Sequence, residues 1–222
     1  MKRNTKQAFT LIELLVVISI ILLASSIIFI GGTGGDGAKL SSAQRIVSGI
    51  AQGARGQAIL KNAVTRLIIY SDATANEDDE KKLRYFGIVY ADPEDPDPEN
   101  PTNWIAATQG TYLSEGIYFN KTLSSNNSWS QSSTITINYP RLRSEPEGSG
   151  DEYYYYEFNS NGTMSSDFIN NWLVLQAGTL KPDSSGNLAV DFLEEEKENL
   201  KTALIFRRAG TTTIVNEPGD IN

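Results

Sequence analysis

Residues 9–30 form an apolar run in which Glu13 is the single charged side chain. As a helix this run would measure ~33 Å, against a bilayer core of roughly 30 Å. Within lipid a backbone must satisfy its own hydrogen bonds, so a single span of this kind has to be helical. A carboxylate near the bilayer centre costs roughly 2.5–3.5 kcal/mol, and ionisable groups inside a membrane usually have a function. Lys2, Arg3 and Lys6 precede the run, and the next basic residue after it is Lys39. The positive-inside rule then keeps residues 1–8 in the cytoplasm and sends the rest of the chain across. A secretory signal peptide fits poorly, because its apolar region spans only about 7–15 residues before a small-residue cleavage site. A plain membrane anchor leaves Glu13 unexplained.

The Lys/Arg leader, the small residue Ala8 and then Phe9-Thr10-Leu11-Ile12-Glu13 resemble the amino terminus of type IV prepilins and type II secretion pseudopilins. The resemblance implies that prepilin peptidase cuts between Ala8 and Phe9. It implies N-methylation of the new Phe9 amine and a role for Glu13 in assembly. The family usually has Gly where this chain has Ala8, and both residues are small. Phe9 and Glu13 stand at i and i+4, on one face of a helix. In a packed fibre the carboxylate of one helix can meet the amine of its neighbour, so that two costly charges compensate each other.

The chain has 222 residues, a formal net charge of -8, no Cys and no His. A Ser-His-Asp triad, a Cys-His dyad, a thiol redox centre, a Cys/His zinc site and a disulfide are therefore excluded. The carboxylates fall in loop-like stretches, with no sign of a buried acid pair. The sequence thus assigns no catalytic residue, metal ligand or cofactor, and it does not read as an enzyme. The acidic balance argues against nucleic acid as a partner, since that affinity rests on Lys and Arg neutralising phosphates. The partners implied by the resemblance are prepilin peptidase, other pilin or pseudopilin subunits and the inner membrane.

Five glycines in residues 31–37 disfavour a helix and read as a break or hinge. Ser41 and Gln44 then form a capping box. Ala43, Ile46, Val47, Ile50, Ala51, Ala54 and Ala58 follow at helical spacing on one face, with Arg45, Ser48, Gln52 and Arg55 mostly off it. From Val64 onward the texture is that of strands: residues 64–70, 83–90, 104–106, 117–119, 134–139, 153–158 and 172–175. Residues 193–200 read as one or two helical turns. Residues 204–208 and 212–215 read as a closing hairpin. Asn161-Gly162 is a type I′ hairpin signal.

A helix followed by a run of strands gives an α+β class with an antiparallel sheet. The expected divisions are a leader (1–8), a transmembrane and assembly helix (9–30), a Gly-rich hinge with an amphipathic helix (31–62) and a periplasmic β-rich domain (63–222). The resemblance implies a pilin-like fold.

Other stretches carry bland readings. On a strand, Tyr153, Tyr154, Tyr155 and Tyr156 place two rings in a core and two outside. The Asp/Glu/Pro stretch at 92–101 is a loop, because Pro at that density blocks ladders and helices, and it lacks the spacing of an EF-hand. Arg207 and Arg208 are weak evidence for an anion site. Arg55, the residues that follow it before the first strand, and Phe158-Asn159-Ser160-Asn161-Gly162 resemble the H-type minor pseudopilins. The functional expectation is a structural fibre subunit of a type II secretion system. The alternative is a minor pilin of a type IV pilus serving adhesion, motility or DNA uptake.

Overall fold

The computed structural model describes residues 35–71, 79–95, 97, 101–124, 134–182, 184, 186, 188–192 and 198–221. The leader, the apolar run with Ala8, Phe9 and Glu13, and residues 193–197 lie outside these.

Helix α1, Gly35–Lys61, opens the described chain. It begins at Gly35 rather than at the Ser41 box, so Gly35 and Gly37 are helical. Asp36 in its first turn complements the helix dipole and pairs with Lys39 at 3.4 Å. Leu40 is buried one turn later and anchors that end by tertiary contact. Leu40, Ala43, Val47, Ala51, Ala54 and Ala58 form the buried stripe, with Gln44 among them. Ile46, expected inside, is 42% exposed, and the alanines take the core face. Small side chains there let the helix axis lie close to the strands beneath. At the other end Asn62 adopts φ 50°. Ala63 N–H reaches Ala58 O at 3.2 Å and Asn62 N–H reaches Ile59 O at 3.4 Å. This is a Schellman stop, which reverses the chain into the sheet.

The strands are β1 (Thr65–Tyr70), β2 (Tyr85–Ala91), β3 (Asn103–Ala106), β4 (Thr111–Tyr112), β5 (Ile117–Phe119), β6 (Thr134–Ile137), β7 (Glu145–Pro146), β8 (Asp151–Phe158), β9 (Trp172–Ala177), β10 (Thr179–Pro182), β11 (Leu188–Asp191), β12 (Lys201–Phe206) and β13 (Thr212–Val215). The first sheet runs β6-β8-β1-β2-β3-β7, with β4 paired to β2. The second runs β13-β12-β9-β5, and β10 and β11 form a separate hairpin. The ladders are antiparallel, with Leu67 opposite Ile88 on one side and Tyr156 on the other.

The first sheet is buried on both faces. Leu67, Ile69, Phe86, Tyr154, Tyr156 and Phe158 enter the main core with the α1 alanines and with Leu173, Leu204 and Phe206 of the second sheet. Ile68, Tyr70, Tyr153 and Val89 enter a second core on the opposite face, with Ile135 and Ile137 of β6 and with Tyr139. Tyr139 follows β6, and its hydroxyl bonds Thr108. This arrangement corrects the reading of the four tyrosines. Tyr153, Tyr154 and Tyr156 are all buried and only Tyr155 is partly exposed, because the outward row also meets a core.

Candidate functional site

The three residues singled out for processing and assembly, Ala8, Phe9 and Glu13, lie outside the described residues. Among the described residues no helix is long and apolar enough to cross a membrane. What the described structure does show is how α1, the helix that follows that segment, is fixed to its domain.

Gln44, Ser48, Gln52 and Arg55 recur every three or four positions, which puts them on one line along α1. Each meets a residue of β12, of β13 or of the turn between them. Gln44 Nε2 donates to Thr202 Oγ1, with both side chains buried. Ser48 Oγ bonds Thr212 Oγ1 at 3.1 Å, and Gln52 Nε2 donates to the same oxygen at 3.4 Å. Arg55 Nε donates to Ala209 O at 3.0 Å and to Gly162 O at 3.2 Å. Periodicity put Ser48, Gln52 and Arg55 mostly off the apolar face. The sequence assigned Gln44 to a capping box with Ser41, whereas the structure buries it against β12. The partners of these side chains, more than a hundred residues away in sequence, could not be read from periodicity.

Arg55 closes on two turns built alike. In the first, Gly162 N–H donates to Asn159 O at 2.8 Å and Asn159 N–H to Thr163 O at 2.8 Å. In the second, Gly210 N–H donates to Arg207 O at 2.8 Å and Arg207 N–H to Thr211 O at 2.8 Å. Gly162 and Gly210 have φ of +78° and +73°. Asn161 is not left-handed, so the turn is not the type I′ that Asn-Gly signals. Each turn carries a single left-handed glycine after the bend, as in a type I turn with a G1 bulge. The turns touch. A Cβ on Gly210 would collide with Gly162 O, and one on Gly162 would lie 2.7 Å from Ile59 Cδ1 of α1. Met164 N–H also donates to Arg208 O at 3.1 Å. The structure therefore joins Arg55 and the Phe158–Gly162 stretch, which the sequence singled out separately, into one latch of helix, β8 turn and β12–β13 turn.

The remaining candidates have structural roles. Asp95 in the acidic loop is buried. Its carboxylate accepts N–H bonds from Asp97 at 3.0 Å, Asn103 at 2.8 Å and Thr102 at 3.0 Å, and from Asn103 Nδ2 at 2.9 Å. These bonds, led by that of Asp97, hold its pKa down to about 2 against the effect of burial. The carboxylate ties Asp97, Thr102 and Asn103 together. No group of three or more acidic side chains among the described residues is placed to hold a metal ion. Tyr85 is pushed up to about 12 by burial, with Tyr139 and Tyr112 adding to the effect. It stays neutral near pH 7, and its hydroxyl donates to Gln109 O at 2.8 Å. Arg207 bonds Thr213 Oγ1 at 3.0 Å and Asn170 Oδ1 at 3.1 Å, while Arg208 is exposed.

Residues 3–29 match the family model of the prokaryotic N-terminal methylation motif. The chain thus carries a prepilin-type amino-terminal motif, over the same stretch that the leader and apolar run marked out. Among solved structures, the chain is similar to the minor pseudopilin EpsH from the type 2 secretion system of Vibrio cholerae, with 12% identity over 82% of this chain and 95% of that one, at a TM-score of 0.36. No curated protein matches.

Proposed function

We propose that this chain is a structural subunit of a pilus-like fibre, a minor pseudopilin of a type II protein secretion system. The observation that carries the reading is the methylation motif over residues 3–29. The precursor is held in the inner membrane by residues 9–30, with its leader in the cytoplasm and its carboxy-terminal domain in the periplasm. Prepilin peptidase cuts between Ala8 and Phe9, and the new Phe9 amine is methylated. Subunits then join through their amino-terminal helices. Support for the finer assignment comes from the joining of Arg55 and the Phe158–Gly162 turn, both of which resemble the H-type group.

In this reading Glu13 sets the register between subunits. Its carboxylate compensates the Phe9 amine of a neighbour, and an unpaired charge in a low-dielectric bundle costs several kcal/mol. The test uses mass spectrometry and copurification on the wild type and on Glu13→Leu, expressed with prepilin peptidase and the fibre partners. Wild-type subunit is expected to begin at methylated Phe9. Glu13→Leu is expected to be cut normally and to lose copurification with the fibre. A mature chain beginning at Met1 or beyond Ile30 would overturn the processing. Wild-type copurification of Glu13→Leu would overturn the role of its charge.

A further inference from the structure

The sequence holds one Asn-Gly pair, Asn161-Gly162, and it lies in the turn that α1 clamps. Glycine has no Cβ to hinder its backbone nitrogen, so this is the pair at which a main chain most readily attacks its own side-chain amide. Gly162 N bonds to Asn161 Cγ, the side-chain nitrogen leaves as ammonia, and a succinimide remains. Water then opens the imide at either carbonyl. One opening gives aspartate at 161. The other gives isoaspartate, in which the main chain runs through Cγ and is one atom longer.

The surroundings decide whether the folded chain permits this reaction. Asn161 is exposed, so water reaches it. Gly162 N–H, however, donates to Asn159 O at 2.8 Å, and the nitrogen cannot lose its proton until that bond opens. Asn161 Oδ1 accepts from Thr163 N–H at 3.0 Å and from Thr163 Oγ1 at 2.7 Å, which pins the side-chain amide. Gly162 O is held by Arg55, and Gly162 packs closely on Ile59. Ring closure must turn Gly162 N toward Asn161 Cγ, so it forfeits the turn bond to Asn159 O, while the Arg55 bond to Gly162 O and the Ile59 contact hold Gly162 against that movement.

We propose that Asn161-Gly162 is a fold-gated deamidation site. With the latch closed the amide persists; with the turn open it converts to aspartate and isoaspartate with loss of ammonia. The isoaspartyl form does not relatch. Its extra main-chain atom falls between Asn159 O and Gly162 N, in a turn that must meet Arg55, Ile59 and Gly210 at once. The modification therefore marks chains that have spent time open and makes their unfolding progressively irreversible.

The experiment incubates the full chain in detergent at mildly alkaline pH, with and without urea. Amide-to-acid conversion at residue 161 is followed by peptide mapping. When reaction requires opening, its rate scales with the open population. Conversion without urea is accordingly expected to be slower by at least about tenfold. Arg55→Ala, checked for retained secondary structure, is expected to convert faster than wild type without urea. Equal rates with and without urea would overturn the proposal. A folded Arg55→Ala protein converting at the wild-type rate would overturn the role of the latch. The comparison in urea needs no variant and stands if Arg55→Ala fails to fold.

Discussion

Arg66 shows how much one side chain can join. It sits on β1 with its guanidinium 4.1 Å from the Trp104 ring and 4.0 Å from the Tyr155 ring, a cation between two aromatic faces. In its own plane Nε donates to Glu157 Oε2 at 2.9 Å and Nη1 to Glu147 Oε1 at 2.9 Å. Trp104 Nε1 donates to the same Glu147 oxygen at 2.6 Å. The side chain is only 12% exposed, so screening by water is weak. A planar fork that donates at its edge and stacks on both faces is a property of Arg and not of Lys. Arg66→Ala is therefore expected to cost about 2–4 kcal/mol, because it strands Glu157 and unstacks two rings. Arg66→Lys should recover less than half of that loss. Urea denaturation of the two variants checks both; wild-type stability of Arg66→Lys would show that charge alone suffices. None of this was legible beforehand. In the sequence Arg66 is a polar position in a β-branched strand, and its partners lie 81 and 91 residues away.

At the scale of elements, legibility followed burial and length. β1, β2, β8, β9 and the β12–β13 hairpin are runs of β-branched and aromatic residues, and the strand reading placed each of them within a few residues. β4 and β7 were missed, because two-residue strands at the margins of a sheet carry no periodicity and exist only through their partners. The β10–β11 hairpin was missed because its side chains are half-buried or exposed, which leaves no apolar alternation. α1 was found by its apolar spacing, but its start was misplaced by the low helix propensity of glycine, which Leu40 and Asp36 offset. That contest between propensity and context can be measured with two substitutions of opposite sign. Gly49 is exposed in the middle of α1, with nothing within 4 Å of an added Cβ. Gly49→Ala should stabilise by about 1 kcal/mol, the helix-propensity difference. Gly162→Ala meets Ile59 and a positive φ, so it should destabilise by about 1–3 kcal/mol. Thermal unfolding of the two proteins should shift in opposite directions. A shared sign would mean that the latch around Gly162 is loose enough to accept a side chain.

For the whole molecule, the motif and the fold divide the chain between them. Ala8, Phe9 and Glu13, proposed for processing and assembly, are read from local signals, a leader boundary and a charge in an apolar run, and they lie outside the described residues. The domain's core depends on distant contacts and was legible only as a class. The chain divides between Gly35 and Asp36, and the buried hydrophobic residues of the described part begin at Leu40. The helix loses only its first residue at that cut and keeps Asp36, its dipole partner in the first turn. Both cores, the Gln44-to-Arg55 seam and the latch fall after it. A fragment beginning at Asp36 therefore retains every contact described above. Its exposed large apolar side chains are few, with Ile59 and Leu60 adjacent and Ile46 and Leu142 apart from them in sequence, and scattered exposed apolar residues are ordinary for soluble domains. The fragment is expected to be soluble without detergent, monomeric by sedimentation and cooperatively folded, with helix and strand signals in circular dichroism. A second cut just before Ser41, where the sequence placed the helix start, tests the same boundary from inside. It removes Leu40 and the Asp36–Lys39 turn, and burying a Leu side chain is worth about 1.5–3 kcal/mol. This shorter fragment should unfold at lower urea. Equal stability of the two fragments would place the functional start of the helix at the capping box after all, and an unfolded Asp36 fragment would mean that the domain depends on the segment before it.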